Sequence, residues 1–448
     1  MEITASPSEV KEKSDQIVPK KLLLPFILIT SLFPLWGFAN AVTDPMVTAF
    51  KKVLELTNLQ ASLVQLAFYG GYFTMALPAA YFIRKYSYKT GVIIGLVLYA
   101  LGALLFYPAA VAESFEFFLI GLYILTFGLA FLETTANPFI LSMGSNETAT
   151  QRLNLAQAFN PVGLLGGILV AQHFVLRQLQ SSHVDFSTLS MNEKSLIRTS
   201  DLLVIRNPYL ALGILVIGIL LLILFNRMPQ TRGVDVKKSM GTIIRSILKK
   251  SNYWQGVLAQ TLYVGAQIMC WTYIYQYAES IGVSATAAGN YQFFAFVLFF
   301  IGRFICTFLL RYLKPAFLLS IFSLLAILCM SSTILITNSF GIYGLLGVSF
   351  CMSLMFPTIY GIALEGLSED EAKIGAAGLV MAIVGGALMP TLQGLIMDLG
   401  GPGLTDIHVF GIPEVNVSFV LPVLCFTWIA LFGKLQQNRS GLAAEVGH

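Results

Sequence analysis

The sequence predicts an all-α membrane protein with twelve transmembrane helices arranged as two six-helix bundles. Three observations lead to this fold class. The chain of 448 residues is 56% hydrophobic and 11% charged, with a mean hydropathy of +0.76, whereas a soluble globular domain is about 25% charged. Its apolar residues fall into twelve stretches long enough to cross a bilayer. A polar, basic stretch near the middle divides these into two groups of six.

The twelve spans follow from the roughly 20 predominantly apolar residues that a helix needs to cross the hydrocarbon core. Within a bilayer the backbone must form its hydrogen bonds inside each segment, so stretches of this length are helices. We number them spans 1 to 12. In chain order they are residues 22–49, 58–83, 90–110, 115–143, 153–178, 208–226, 254–279, 285–310, 315–336, 340–364, 374–397 and 416–435.

The predicted domain organisation follows from these spans. A cytoplasmic segment, residues 1–21, precedes the first six-helix bundle, residues 22–226; a cytoplasmic central loop, 227–252, leads to the second bundle, 253–436, and a cytoplasmic tail, 437–448. Lys and Arg concentrate in the short segments assigned to the cytoplasm, which predicts that both termini are inside. We expect an inner (plasma) membrane protein. Two such halves are expected to pack around a site near the bilayer midplane.

Composition and motifs exclude several functional classes. The net charge of +4 is small and the basic residues are dispersed, so we expect no nucleic-acid partner. The four histidines show no metal-ligand spacing, and no nucleophile elbow, phosphate loop or HExxH is present. We therefore expect no enzyme, no catalytic residue, no metal and no cofactor. The charged residues after span 10 are interpreted as a solvated face: Glu365, Glu369, Asp370, Glu371 and Lys373.

Two carboxylates lie in otherwise apolar segments and are the main functional signal. They are Asp44 in span 1 and Glu133 in span 4. An ionised Asp at the centre of a membrane helix costs roughly 3 kcal/mol on insertion scales, so such residues usually serve ion, proton or substrate pathways. Glu133 has a structural alternative, a hydrogen bond to a neighbouring helix. Asp44 precedes Pro45, so a cap or interfacial turn is its alternative.

Polar and aromatic side chains repeat at helical spacing and form stripes on four spans. The stripe residues are Trp36 and Asn40 on span 1, Asn137 on span 4, Gln157 and Asn160 on span 5, and Tyr263, Gln267 and Trp271 on span 7. Amides exchange hydrogen bonds with hydroxyl groups, and an aromatic face covers the apolar side of a sugar ring. The stripes contain no basic residue, so a neutral sugar fits best, bound in one cavity. Interhelical hydrogen bonding is the alternative for the amides, and packing for Trp271.

Several segments resemble the fucose permease family of sugar:proton symporters within the major facilitator superfamily. They are LFPLWGFAN with Asp44, FKKVLELTNLQASLVQLAFYGGYF, FGLAFLETTANPF, RLNLAQAFN, LAQTLYVGAQIMCWTY and FFIGRF. The resemblance implies a major facilitator fold, a coupling role for the matched Asp44 and Glu133, and a sugar cavity lined by Gln157, Asn160, Gln267 and Trp271. Where the family pattern resembles ANNLND this chain has ANAVTD, with Ala41 and Thr43, and Phe356 stands where a tyrosine is expected.

The resulting functional prediction is a proton-coupled symporter that imports a neutral monosaccharide, with L-fucose as the expected sugar, by alternating access. Its partners are the sugar, the proton and the lipid bilayer, and we expect a monomer. Glu133 is the expected proton carrier and Asp44 the residue that couples sugar occupancy to that step. The alternatives are a glucose/galactose or N-acetylglucosamine transporter of the same family, sodium-coupled in one version, and a non-transporting sugar sensor.

Overall fold

The computed structural model describes residues 16–56, 58–182, 184, 189–229, 239–398, 405 and 407–446, and the side chains of some helical residues, Asp44 among them, also lie outside this description. The described residues are almost entirely helical. They include one short antiparallel hairpin, in which His408–Val409 pairs with Ile412–Pro413.

The helices match the predicted spans in order, and several spans consist of two consecutive helices. In the first half they are Leu23–Thr30 with Phe33–Val53, Asn58–Lys85, Tyr88–Leu104 with Phe106–Val111, Phe115–Ser142, Ala149–Gln157 with Asn160–Val170, and Met191–Phe225. In the second half they are Ser251–Thr272 with Ile274–Ser280, Ala285–Leu309, Pro315–Leu335, Ile342–Met352 with Met355–Leu364, Glu369–Met381 with Gly385–Met397, and Glu414–Ser418 with Val420–Val446.

Eleven helices in the described residues are long and apolar enough to cross a membrane. Span 7 is not among them. Its helix Ser251–Thr272 has 22 residues, so it is long enough, but Gln255, Gln260 and Gln267 lower its mean hydropathy. The count of twelve spans therefore depends on one helix whose polar content is itself a functional signal.

Two helices differ from the sequence-based boundaries. The helix of span 6 begins at Met191, where Ser190 and Glu193 form a capping box, so much of the predicted loop before residue 208 is helical. Within the predicted central loop, Met240–Lys249 forms an amphipathic helix with Ile243 and Ile247 buried. The capping box therefore extends the helix of span 6 into the loop before it, and an apolar face stabilises a helix within the central loop.

The interpretation of the charged residues after span 10 as a solvated face is wrong for Lys373. Lys373 is fully buried and lies 2.9 Å from Glu369. Glu371 accepts hydrogen bonds from Lys250 and Ser246, each at 2.9 Å. Ser246 lies in the helix Met240–Lys249 and Lys250 directly follows it, so the local charge pattern did not reveal these partners of Glu371.

The chain forms two compact units. One is drawn from Leu28–Ala136 and Phe159–Lys237, and we call it the amino-terminal unit; the carboxyl-terminal unit is drawn from Met1–Ile27, Asn137–Ala158 and Lys238–His448. The segment Asn137–Ala158 thus groups with the second half of the chain. The predicted bundle boundaries stay a prediction.

In the amino-terminal unit, spans 1 and 5 cross at very short distance. A Cβ atom on Gly163 would lie 1.8 Å from the carbonyl oxygen of Pro34, and one on Gly37 would lie 2.1 Å from that of Asn160. Only glycine permits this approach of two backbones. Tyr99 of span 3 also donates a hydrogen bond to the carbonyl of Leu35 at 2.9 Å, so span 1 is held from two sides.

In the carboxyl-terminal unit, the first helix of span 5, Ala149–Gln157, packs on spans 8 and 10. Gln151 donates to the carbonyl of Thr307 at 3.1 Å, and Asn154 donates to the hydroxyl of Thr358 at 3.2 Å. Both bonds are buried. These polar contacts explain why the segment Asn137–Ala158 groups with residues that follow it by more than 100 positions.

Candidate functional site

Glu133 is the central residue of the candidate site in the amino-terminal unit. It lies in the middle of the helix Phe115–Ser142 and is partly exposed. One carboxylate oxygen, Oε2, is enclosed and has no hydrogen-bond partner among the described residues. An unsatisfied buried polar group costs about 1–3 kcal/mol, and more when it is charged. The interhelical hydrogen bond proposed as the structural alternative is therefore not formed at this oxygen.

The span 1 stripe lies on one helix, Phe33–Val53. Trp36 is buried, its ring lies 4.5 Å from that of Phe33, and its indole nitrogen has no partner among the described residues. Asn40 donates back to the carbonyl of Trp36 at 2.9 Å. The side chain of Asp44 lies outside the described part of the structure, so its predicted role stays a prediction.

Asn160 makes a structural contact. Its amide donates to the carbonyl of Phe33 at 3.2 Å, next to the close crossing of spans 1 and 5. This is the interhelical bond that the sequence left open as an alternative. The donor of Asn160 is therefore used within the amino-terminal unit.

A buried hydrogen-bonded chain joins three spans in the carboxyl-terminal unit. Arg303 of span 8 donates through Nη1 to the side-chain oxygen of Gln157 at 3.1 Å and to its backbone carbonyl at 3.4 Å. The Gln157 amide nitrogen donates to the side-chain oxygen of Asn137 at 3.0 Å. The structure thus unites two predicted stripe residues with an arginine.

Arg303 was not among the site residues predicted from the sequence. The residue is 3% exposed, and its guanidinium lies 4.8 Å from the ring centre of Phe299. It stands in the segment FFIGRF, one of those that carry the family resemblance. An arginine in the middle of an apolar helix is as costly as a carboxylate, and this cost was the signal available in the sequence.

The span 7 stripe divides into two packed residues and one available amide. Tyr263 is fully buried and donates to the carbonyl of Met352 at 3.1 Å. Trp271 donates to the hydroxyl of Ser349 at 3.2 Å. Gln267 between them is partly exposed, and no hydrogen bond of its side chain is found within the described part of the chain. Gln267 is therefore the member of this stripe with free hydrogen-bonding capacity.

The three departures from the family pattern have different environments. Ala41 lies against span 5, where a Cβ atom on Gly167 would approach its Cβ to 2.8 Å. Thr43 is buried and donates to the carbonyl of Ala39 at 2.7 Å. Phe356 is partly exposed, and its ring centre lies 6.1 Å from that of Tyr263. Of the three, Phe356 is next to a predicted site residue, whereas Ala41 is a packing position.

Metal ligation has no visible support in the described residues, where no group of three or more His, Cys, Asp or Glu side chains is placed to hold an ion. The five cysteines are free, and four of them are buried: Cys270, Cys306, Cys351 and Cys425. The candidate residues described above carry carboxylate, amide, guanidinium and aromatic groups. The convergence of all the stripes on one cavity stays a prediction.

Comparison with known proteins identifies the family of this chain. Residues 28–390 match the Major Facilitator Superfamily. The chain belongs to this superfamily. It is 52% identical over 425 residues to the L-fucose-proton symporter of Haemophilus influenzae, covering 93% of this chain and 97% of that protein. It is 36% identical over 432 residues to the L-fucose-proton symporter of Escherichia coli, covering 94% and 95% of the two chains.

A solved structure shows the same fold in this superfamily. The crystal structure described as that of the major facilitator superfamily transporter FucP, in the outward conformation, matches with a TM-score of 0.83 and 34% identity, over 93% of this chain and 99% of that one. The predicted major facilitator fold with twelve transmembrane helices is confirmed, and so is the resemblance to the fucose permease family. The polar helix Ser251–Thr272 is accordingly counted as the seventh span.

Proposed function

We propose that this protein is a proton-coupled symporter that imports L-fucose across the inner membrane. Two relatives that align with more than nine-tenths of the chain are L-fucose-proton symporters, and these names support the sugar and the coupling ion. Within the structure, the observation that carries the proposal is Glu133, whose enclosed Oε2 has no hydrogen-bond partner among the described residues. A transporter function, and not catalysis, follows from this family membership.

Glu133 acts as the proton carrier in this mechanism. In a site shielded from water, a carboxyl group is better tolerated when it is neutral. Protonation from the outside removes the charge that opposes reorientation of the loaded carrier, and release inside restores it. Asp44, four residues after Asn40 on span 1, couples sugar occupancy to this step. The sugar hydroxyls bind to amides of the stripes, and Gln267 is one amide whose hydrogen-bonding groups are available.

The cellular arrangement is part of the same proposal. The protein works as a monomer in the lipid bilayer of the inner membrane, with both termini in the cytoplasm. The distribution of Lys and Arg along the sequence supports this orientation. Gln16 is exposed, so Gln16→Cys provides a label site before span 1. Thiol labelling of this variant from either side of sealed vesicles tests the orientation. A reaction from the cytoplasmic side alone is expected, and labelling from the outer side would contradict it.

The decisive experiment is uptake of labelled L-fucose into proteoliposomes that contain only this protein, under an imposed inward proton gradient. Wild type is expected to accumulate the sugar above its outside concentration. Glu133→Gln cannot release a proton, so it is expected to exchange sugar between the two sides and to lose accumulation. The matched control is Glu116→Gln at the exposed start of the same helix, where Glu116 accepts a hydrogen bond from the Ser114 hydroxyl. This variant is expected to behave as wild type.

The same assay separates the alternatives. Competition with glucose, galactose and N-acetylglucosamine identifies a different sugar, and uptake that follows sodium and ignores a protonophore identifies a different ion. A non-transporting sensor would accumulate nothing in these vesicles. Undiminished uphill uptake by Glu133→Gln would remove Glu133 from the coupling mechanism.

A further inference from the structure

We propose that Arg303 is a positioning residue that sets the hydrogen-bond polarity of the Gln157–Asn137 pair, so that Asn137 faces the sugar as a hydrogen-bond donor. The inference rests on the proposed function, because it assigns the substrate contact of that transporter. It also assigns different roles to two residues that the sequence placed together in the sugar cavity.

The polarity follows from the chemistry of the three side chains. A guanidinium has only donors, whereas the amides of Asn and Gln each have one accepting oxygen and one donating nitrogen. Arg303 donates to Gln157, so the Gln157 oxygen must face it. The Gln157 nitrogen then faces Asn137 and donates to the Asn137 oxygen. The group left over on Asn137 is its Nδ2, a donor.

This Nδ2 group is the open end of the chain. It is enclosed and has no hydrogen-bond partner among the described residues, and Asn137 as a whole is 1% exposed. Gln157, in contrast, uses both ends of its amide within the protein. Asn137 therefore has a group to offer a ligand, and Gln157 transmits the orientation.

Asn137 also stands on the functional face of its helix. It follows Glu133 by four residues in the continuous helix Phe115–Ser142, and residues at this spacing share a face. Asn137 therefore shares a helix face with the proposed proton carrier.

Arg152 provides an internal comparison with Arg303. It is also buried, but its Nε donates to the carbonyl of Ile140 at 2.8 Å, and its two terminal nitrogens donate to the carbonyls of Ile17 and Leu141. These bonds close the carboxyl end of span 4, which is a structural role. The Nε of Arg303 has no partner among the described residues, and its fixed contact is to Gln157.

A donor at Asn137 needs an acceptor on the sugar. A hydroxyl group provides one, and fluorine at the same carbon keeps a weak acceptor while it removes the donor. Hydrogen at that carbon removes both. The proposal therefore predicts at least one ring position at which deoxyfluoro-L-fucose competes better than deoxy-L-fucose.

The test is competition by these two analogue series, at carbons 2, 3 and 4, against labelled L-fucose uptake by the full chain in proteoliposomes. Wild type is expected to prefer fluorine to hydrogen by roughly threefold or more at one position. In Arg303→Gln the new side chain can donate or accept, so it no longer fixes the orientation of the Gln157 amide. The ratio of competition by the fluorinated and the deoxy analogue is expected to come near one. Arg303→Lys keeps a donor-only side chain and is expected to retain the preference. In Arg152→Gln all analogues are expected to weaken by the same factor.

The possible results separate the two proposals. No L-fucose uptake by wild type would overturn the proposed function, and this inference with it. Uptake without any position that prefers fluorine, or an unchanged ratio in Arg303→Gln, would overturn the inference alone. If Arg303→Gln does not fold, Asn137→Ala serves in its place, because it removes the donor itself. Loss of the preference in Asn137→Ala supports the proposal, and its persistence overturns it.

Discussion

The crossing of spans 1 and 5 allows a sharp test with two glycines of one helix, Asn160–Val170. At Gly163 an added Cβ would lie 1.8 Å from the carbonyl oxygen of Pro34, whereas at Gly166 nothing lies within 4 Å. Carbon and carbonyl oxygen normally approach to about 3.3 Å. Gly163→Ala therefore requires the two backbones to separate by roughly 1.5 Å, the difference between these two distances, and no rotation of a side chain relieves the clash.

The expected cost of Gly163→Ala is about 1–3 kcal/mol or more, the usual range for overpacking. Gly166→Ala is the matched control, because it adds the same methyl group to the same helix. Alanine is favoured over glycine in a helix by roughly 0.8–1.0 kcal/mol in soluble hosts, so this variant is expected to be neutral or slightly more stable.

Thermal unfolding of the purified protein, followed by loss of the monodisperse peak, measures the difference. Each kcal/mol is expected to shift the unfolding midpoint by roughly 2–4 °C. The midpoint of Gly163→Ala is therefore expected to fall by several degrees, whereas that of Gly166→Ala is not expected to fall. Equal midpoints for the two variants would refute the reasoning that the backbone contact, and not glycine itself, is required at position 163.

Two further predictions concern polar anchors of the helix ends. Asp201 is fully buried and accepts hydrogen bonds from the backbone N–H groups of Gln180 and Ser181 at 2.8 and 2.9 Å. Asp201→Ala leaves both donors without an acceptor, so we expect the free energy of unfolding to fall by about 1–3 kcal/mol. We also expect faster protease cleavage near residue 180. Ser368 caps the helix that begins span 11; Ser368→Ala is expected to cost about 1 kcal/mol, seen as a lower unfolding midpoint. Unchanged cleavage or an unchanged midpoint would contradict the respective prediction.

The spans could be predicted from sequence because the requirement behind them is local. Some 20 apolar residues must pass through hydrocarbon, and every backbone group in them must bond within the segment. The helices accordingly fall where the apolar stretches are. The predictions were less successful where ends are set by capping or by a partner, as at Met191 and in the helix Met240–Lys249. A glycine count likewise could not separate Gly163, which is in tight contact, from Gly166, which faces open space.

Buried charged residues also differ in whether the sequence alone can identify them. Glu133 could be singled out from sequence as a candidate because a carboxylate in an apolar helix is costly wherever its neighbours lie. Lys373 could not be recognised as buried, since its burial depends on tertiary packing and not on the local charge pattern.

Sequence alone was sufficient for the membrane class, the order of the helices and the family resemblance, because each of these is determined by composition and local sequence. The coupling roles of Asp44 and Glu133 stay predictions. The use of each polar side chain required the folded chain. Arg303 and Gln157 are 146 residues apart, and no local pattern indicates that one donates to the other. Hydrogen bonds between helices depend on which faces meet and at what distance, and this is settled only when the helices pack.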